Sequence, residues 1–357
     1  MNPTPADGET YMALRQVAPA FLLLLSGTLG GCSEPEIALG AWSTRSIDEF
    51  VRWGEEIRLE ENEQVVNVWP VVQRDPEGGF LVADTREAQA RLYDGSGRLR
   101  ARFGSRGKGP AEFDGLVAAL RLPSREIVLA DRAGKVAVLD SSGVRVLRTY
   151  GSGLLPLYDA ELLQDSLLLL VGRGSVKTGP LLHVFDPRSG RLLRHFFTVT
   201  PRGILPGSAM TAGFAEAAVH GDTIAVIHSI TDTLYRFSAA GASLGKMPIP
   251  FRHFRPIRHS LPRNPTREQT HAWLSSFSLA SHAFWGGGGT WLIQYQDRNG
   301  PEIRWRLLGM THDGKRLFEL RDSPQLLATE PATGRLYFVA PRSLAPNLWS
   351  VARLGPR

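Results

Sequence analysis

The chain has almost no cysteine: Cys32 is the only one in 357 residues. A single thiol excludes an internal disulfide, and with it every Cys-x-x-Cys zinc or redox motif. Lysine is nearly as scarce, present only as Lys108, Lys135, Lys177, Lys246 and Lys315, so the cationic side chains are almost all arginine. Lys and Arg total 41 against 35 Asp and Glu, a net charge of +6. That modest surplus suits anionic surfaces. No basic run with interleaved aromatics points to nucleic acid, which is not expected as a partner. No Gly-x-Ser-x-Gly turn is present to seat a serine nucleophile. The Gly-rich stretch 104–109 lacks the Gly-Lys-Ser/Thr opening of a phosphate-binding helix. The longest strongly apolar run has about ten residues, where roughly 20 are needed to cross a membrane as a helix.

That run is informative in another way. Phe21-Leu22-Leu23-Leu24-Leu25 leads through small residues to Leu29-Gly30-Gly31-Cys32, a pattern that resembles the lipobox of bacterial lipoproteins. The resemblance implies that residues 1–31 are a signal peptide and that Cys32 is lipidated after cleavage. The membrane is then a partner through the lipid anchor, and several acyl chains hold firmly where one is marginal. Ser33, where an Asp would signal retention, implies the outer membrane, with the domain facing the periplasm or the cell surface. Asp7 and Glu9 stand where an export signal carries positive charge, so Met12, followed by Arg15, reads as the better start. Without residues 1–32 the cationic surplus is seven. Residues 32–45 read as a lipidated tether and 46–357 as one domain, ample for one large core.

Within that domain a unit repeats. Gly79-Phe80-Leu81-Val82-Ala83-Asp84 is followed by Arg91-Leu92-Tyr93-Asp94-Gly95-Ser96-Gly97 and Leu99-Arg100-Ala101-Arg102-Phe103. It recurs as Glu126-Ile127-Val128-Leu129-Ala130-Asp131, then Val138-Leu139-Asp140-Ser141-Ser142-Gly143 and Val144-Arg145-Val146-Leu147. Each copy reads strand, loop, strand, Asp/Gly turn, strand. Looser copies carry turns at 186–190, 238–241 and 311–314, and a last copy, 335–354, lacks its final strand. Anchors at Phe80, Ile127, Leu167, Ile224, Trp291 and Leu336 lie 47, 40, 57, 67 and 45 residues apart. These are six units of blade size with two insertions. The segment 55–60 alternates as an outer strand should and is the donor that would complete the sixth unit. A sandwich fits the strand count, but unit size, unit number and the spare strand favour an all-β, six-bladed propeller of four-stranded blades, closed by the N-terminal strand.

The linker Phe103-Gly104-Ser105-Arg106-Gly107-Lys108-Gly109-Pro110-Ala111-Glu112-Phe113 resembles the one that joins blades in NHL-type six-bladed propellers and their lipoprotein relatives. The match covers about residues 70–150 and implies that this stretch connects blades.

Two constellations are candidates for function. In antiparallel blades the connections from an outer strand to the next inner strand share one face. Arg106 and Lys108 lie in one such connection and Arg202 in another. The long insertion before the fifth unit adds Arg252, His253, Arg255, Arg258 and His259, and ends in a helix over about 265–277 begun by Thr266. A cationic loop face of this kind would engage an anionic ligand or an envelope protein; a solvated basic loop is the plainer reading. The second constellation is Asp159, Glu216 and His282, eight or nine residues before successive anchors, hence at one height on the inner strands of units three to five. Polar residues line any wet channel, but two carboxylates and an imidazole can also ligate a divalent ion. No cofactor is otherwise expected; the one candidate is a metal such as Ca2+ or Zn2+. The leading expectation is an envelope binding module, leaning away from an enzyme. The rivals are a metal-dependent hydrolase or lyase of the lactonase-like propeller type and a purely structural scaffold.

Overall fold

A computed structural model describes residues 47, 50–60, 70–174, 179–199, 214–259, 261–262, 264–299, 302–340 and 347–354. They form six four-stranded antiparallel sheets. In the first, β2 (Val71–Arg74), β3 (Phe80–Asp84), β4 (Gln89–Tyr93) and β5 (Leu99–Phe103) run from the inside outward. A two-stranded parallel clip, β6 (Ser105–Arg106) with β7 (Glu112–Phe113), occupies the linker. The second blade is β8 (Leu116–Arg121), β9 (Ile127–Asp131), β10 (Lys135–Leu139) and β11 (Val146–Gly151). The third is β12 (Leu157–Leu163), β13 (Leu167–Gly172), β14 (Leu182–Asp186) and β15 (Arg191–Phe196). The fourth is β16 (Ala215–His220), β17 (Thr223–His228), β18 (Thr233–Ser238) and β19 (Ser243–Pro248). A nine-residue helix, α1 (Arg267–Ser275), precedes the fifth blade: β20 (Ser278–Trp285), β21 (Thr290–Asn299), β22 (Glu302–Thr311) and β23 (Arg316–Leu320). The sixth is β24 (Leu326–Glu330), β25 (Arg335–Val339), β26 (Leu348–Leu354) and, outermost, β1 (Val51–Arg58). The N-terminal strand therefore closes the ring, spanning Val51–Arg58 rather than the expected 55–60.

Strand composition follows position. The second strand of a blade is covered by a neighbouring blade on each side, so it is apolar up to its closing aspartate: β3 and β9 are buried at every residue, Asp84 and Asp131 included. Outer strands bear on one neighbour and on solvent, and their burial is mixed, as in β5 and β15. The repeat extends to irregularities. In blades one to five the third and outer strands slip register once, beside the turn that joins them. The aspartates that open three of these turns accept main-chain amides: Asp94 from Ser96 at 2.9 Å, Asp140 from Val144 at 3.1 Å and Asp186 from Arg188 at 2.8 Å.

The Gly-rich linker folds as a blade-to-blade connector. The Gly109 N–H donates to Glu112 Oε2 at 2.7 Å, and Gly107 lies so close that a Cβ there would stand 2.1 Å from the same oxygen. Phe113 is fully buried, with the Lys135 ammonium 5.0 Å from its ring centroid. Lys135 Nζ donates to the Gly109 and Glu112 carbonyls, which fastens the clip to the second blade.

A contact crosses every blade boundary near the axis. Arg74 Nη2 meets Glu330 at 3.1 Å, joining blades one and six. Arg121 meets Asp75 at 2.9 Å, joining one and two, with both side chains buried. The Leu157 N–H donates to the Arg132 carbonyl at 3.0 Å between two and three. The Ala217 N–H donates to Asp159 Oδ2 at 3.0 Å between three and four. His282 meets Glu216 between four and five. Gln294 receives the Leu326 N–H at 3.1 Å and donates to the Pro324 carbonyl at 3.0 Å between five and six. Among the described residues no helix is long and apolar enough to cross a membrane.

Candidate functional site

The inner strands bring Asp159, Glu216 and His282 together on three successive blades. Bulges aim two of them: β12 slips register between Leu157 and Asp159, and β20 between Ala280 and His282. An extra residue in a strand turns the next side chain to a new direction. His282 Nδ1 lies 2.8 Å from Glu216 Oε2, and both side chains remain partly open to solvent. Asp159 is buried, with Oδ1 accepting the Ala160 N–H at 2.8 Å and Oδ2 the Ala217 N–H. Glu161, two residues further along β12, accepts from Gln73 Nε2 at 3.1 Å, a bond that reaches from blade one to blade three across the axis.

The electrostatics of this group run toward proton retention. Burial first, then the Glu216 charge, pushes Asp159 up to about 7, against two amide hydrogen bonds that favour its ionised form. Burial and then Asp159 push Glu161 well above the ordinary carboxylate range. For His282 burial opposes charging, but the Glu216 charge and hydrogen bond, with Asp159, outweigh it and raise the imidazole. All three shifts favour the protonated forms of these groups. Among the described residues no three His, Cys, Asp or Glu side chains are disposed to hold a metal ion. Each Asp159 oxygen accepts one main-chain amide, and the His282 Nδ1 faces Glu216.

The loop face is built around the connection from β19 to β20. Thr266 caps α1 and forms a reciprocal capping box with Gln269, as the expected start at Thr266 requires. Trp273, buried on α1, donates Nε1 to the His259 carbonyl at 2.8 Å. Phe251 stacks on Phe254 with centroids 5.1 Å apart and meets Tyr295 edge-on at 4.4 Å. Tyr295 donates its hydroxyl to Glu319 at 2.6 Å, and Glu319 also accepts the Arg252 N–H at 3.0 Å. Arg255 donates to the Ser275 carbonyl at 2.9 Å and the Arg298 carbonyl at 3.3 Å, and approaches Asp297 at 3.6 Å. The loop is therefore a packed structure with Arg252, Arg255, Arg258 and His259 exposed on it and His253 half-buried.

The other expected cations fall elsewhere. Arg106 donates to the Arg86 carbonyl and lies 3.7 Å from Asp114, and Lys108 is exposed beside it. Both belong to the connection between blades one and two, across the ring from the fourth and fifth. Cys32 and Arg202 lie outside the described residues. Sequence reasoning missed Arg306, whose Nε donates to Asp297 Oδ2 at 2.6 Å. β21 and β22 run to Asn299 and from Glu302, and near their joined ends they carry Asp297 and Arg306 toward the loop face. The alternation of Arg304 and Arg306 with Ile303 and Trp305 is the signal that was available.

No family model matches the sequence, and no curated protein matches it. Solved structures do share the fold. A Bacteroides fragilis protein described as exported is 11% identical, with a TM-score of 0.60, over 87% of this chain and 97% of its own. A member of the DUF4221 family from Bacteroides vulgatus is 10% identical, with a TM-score of 0.58, over 87% of this chain and 99% of its own. BamB from Moraxella catarrhalis is 12% identical, with a TM-score of 0.49, over 85% of this chain and all of its own.

Proposed function

We propose that this chain is a lipid-anchored propeller of the bacterial cell envelope that works as an interaction module, engaging an anionic ligand or envelope partner through its loop face. The observation that supports the binding face is the connection between blades four and five. It is long, cationic and packed on Phe251, Phe254, Tyr295 and Trp273, so exposed Arg252, Arg255 and Arg258 are presented on a preformed surface. Preformed guanidinium groups lose less freedom on binding than those of a mobile loop. The envelope placement rests on the Leu-Gly-Gly-Cys32 signal and Ser33, in keeping with the description of one structural neighbour as exported. The NHL-type resemblance of the linker supports the same class of lipoprotein propeller. The hydrolase reading has no observation to carry it.

The test is capture of envelope components by the full chain in detergent, compared with a variant carrying Arg252→Ser, Arg255→Ser and Arg258→Ser. Loss of a reproducible partner in the variant, with unchanged melting, is the expected result; equal capture would remove the loop face from the account. Lipidation is checked separately. Cys32→Ser should abolish fatty-acid labelling and move the protein from the membrane to the soluble fraction.

A further inference from the structure

We propose that the junction of blades four and five holds a subsite for a single oxyanion group, received by Arg306, Arg255 and His253. The inference rests on the loop-face reading and narrows it to one blade junction and one ligand chemistry.

The local charges do not balance. Asp297 meets Arg255 and Arg306, Glu319 meets Arg316, and the charges of Arg306, Arg321, Glu319 and Asp297 all act on His253. Asp297 is saturated: it accepts from the Ser278 hydroxyl on one oxygen and from Arg306 Nε at 2.6 Å on the other, with Arg255 Nη2 at 3.6 Å. Glu319 is equally occupied, by the Tyr295 hydroxyl at 2.6 Å, the Arg252 N–H at 3.0 Å and Arg316 Nη1 at 3.7 Å. Main-chain carbonyls take part of the remainder: Arg255 donates to Ser275 and Arg298, and Arg316 to Pro250 at 3.1 Å.

Arg306 shows the consequence. Its side chain is only 11% exposed, yet its Nη1 is buried and has no hydrogen-bond partner. Arg298, whose carbonyl receives Arg255, has an enclosed and unpartnered Nε as well. A buried donor on a cation is costly to leave without an acceptor, and native structures rarely do so without a reason. An oxyanion satisfies such donors directly, and guanidinium groups match its oxygens two at a time. Aromatic walls lower the local dielectric and strengthen the attraction; Phe251, Phe254 and Tyr295 supply them here. The field at His253 has the expected sign. Burial and then Arg306 and Arg321 hold its imidazole below the ordinary range despite Glu319 and Asp297. Phosphate, sulfate and carboxylate share the required chemistry.

Titration calorimetry on the full chain in detergent, at low ionic strength, with inorganic phosphate, sulfate and acetate as separate probes, tests the subsite. At least one probe should bind saturably at millimolar concentration or below, and the preferred probe identifies the group. Arg255→Gln, on an exposed side chain, should weaken that probe by about tenfold with unchanged melting, and Arg306→Gln should abolish it. Because Arg306 also holds Asp297, the Arg255 variant decides the matter if Arg306→Gln fails to fold. Arg188→Ala, in a turn of the third blade, should bind as the parent does. Heats absent for all three probes, or heats that Arg255→Gln leaves unchanged, would overturn the subsite. Those outcomes leave the wider loop-face reading to partner capture, where Arg252→Ser and Arg258→Ser alone report on it.

Discussion

Gly143 lies against the ring of Phe103 so closely that a Cβ on it would stand 2.0 Å from the ring carbon Cδ1. Gly143 closes the turn before the outer strand of blade two, with φ +71°, and Phe103 ends the outer strand of blade one. The same contact recurs around the ring, with Gly190 on Tyr150 and Gly241 on Phe196. A turn glycine in each of these blades is the socket for the preceding blade's outer aromatic residue. Gly143→Ala meets both a strained backbone and a ring that has nowhere to move. It should destabilise the domain by about 2–4 kcal/mol, measured as a lower urea midpoint with unchanged slope. A change within about 0.5 kcal/mol would show that the socket does not hold the blades together.

The channel cluster predicts how stability varies with pH. Asp159 and Glu161 have folded values above their unfolded ones, so the native state holds protons that the unfolded chain releases. Stability from this source is fully present near pH 4 and is lost as pH rises toward about 7. His282, also raised, acts in the same direction, losing its contribution as pH rises through its folded value. Glu161→Gln keeps an acceptor for Gln73 and removes one ionisation. It should raise stability at pH 8 by about 1 kcal/mol, allowing for the partial exposure of Glu161, and change little at pH 4. A thermal melt series from pH 4 to 8 reads this; an unaltered slope in the variant would exclude Glu161 as its source.

His228 contributes with the opposite sign. It is fully buried, both ring nitrogens lack partners, and burial together with Arg173 lowers it to about 4. The unfolded chain therefore binds a proton that the native state refuses, and stability is lost as pH falls from about 6.5 toward 4. His228→Leu removes this loss, worth up to about 3 kcal/mol at pH 4, and leaves no unpaired group behind. The variant should melt higher than the parent in acid and close to it at pH 8. A variant equally sensitive to acid would place the loss elsewhere.

The repeat was legible because turn chemistry is local. Asp94, Asp140 and Asp186 fold onto their own turns, so the residues that mark the blades also build them. Asp159, Glu216 and His282 were legible because counting back from a buried second strand places the inner strand within a residue or two. The partners were harder. Glu161 and Gln73 meet across the axis from blades three and one, and no local pattern states that distance. Arg306 was missed because its partner Asp297 lies where hydrophobic alternation in β21 has faded, although hydrogen bonding continues to Asn299 and Glu302. Bulges in β12 and β20 also defeat simple alternation at the residues that matter most.

Closure by β1 is the last relationship open to a decisive test. Six pairings, from Val51 with Leu354 to Arg58 with Leu348, attach it to β26. Ile57 is buried opposite Trp349, Trp53 meets Phe338 at 5.4 Å, and the Glu60 N–H donates to the Gly97 carbonyl at 2.7 Å, tying the strand to blade one as well. A chain beginning at residue 61 would leave the β26 edge open, a template for pairing with other chains. It should aggregate or melt well below the parent, and Ile57→Ala in the full chain should cost about 2–4 kcal/mol. A synthetic peptide of residues 47–60, supplied in excess, should restore solubility and melting by refilling the edge. A truncated chain that keeps the parent's oligomeric state and melting temperature would mean that the ring holds without its N-terminal strand.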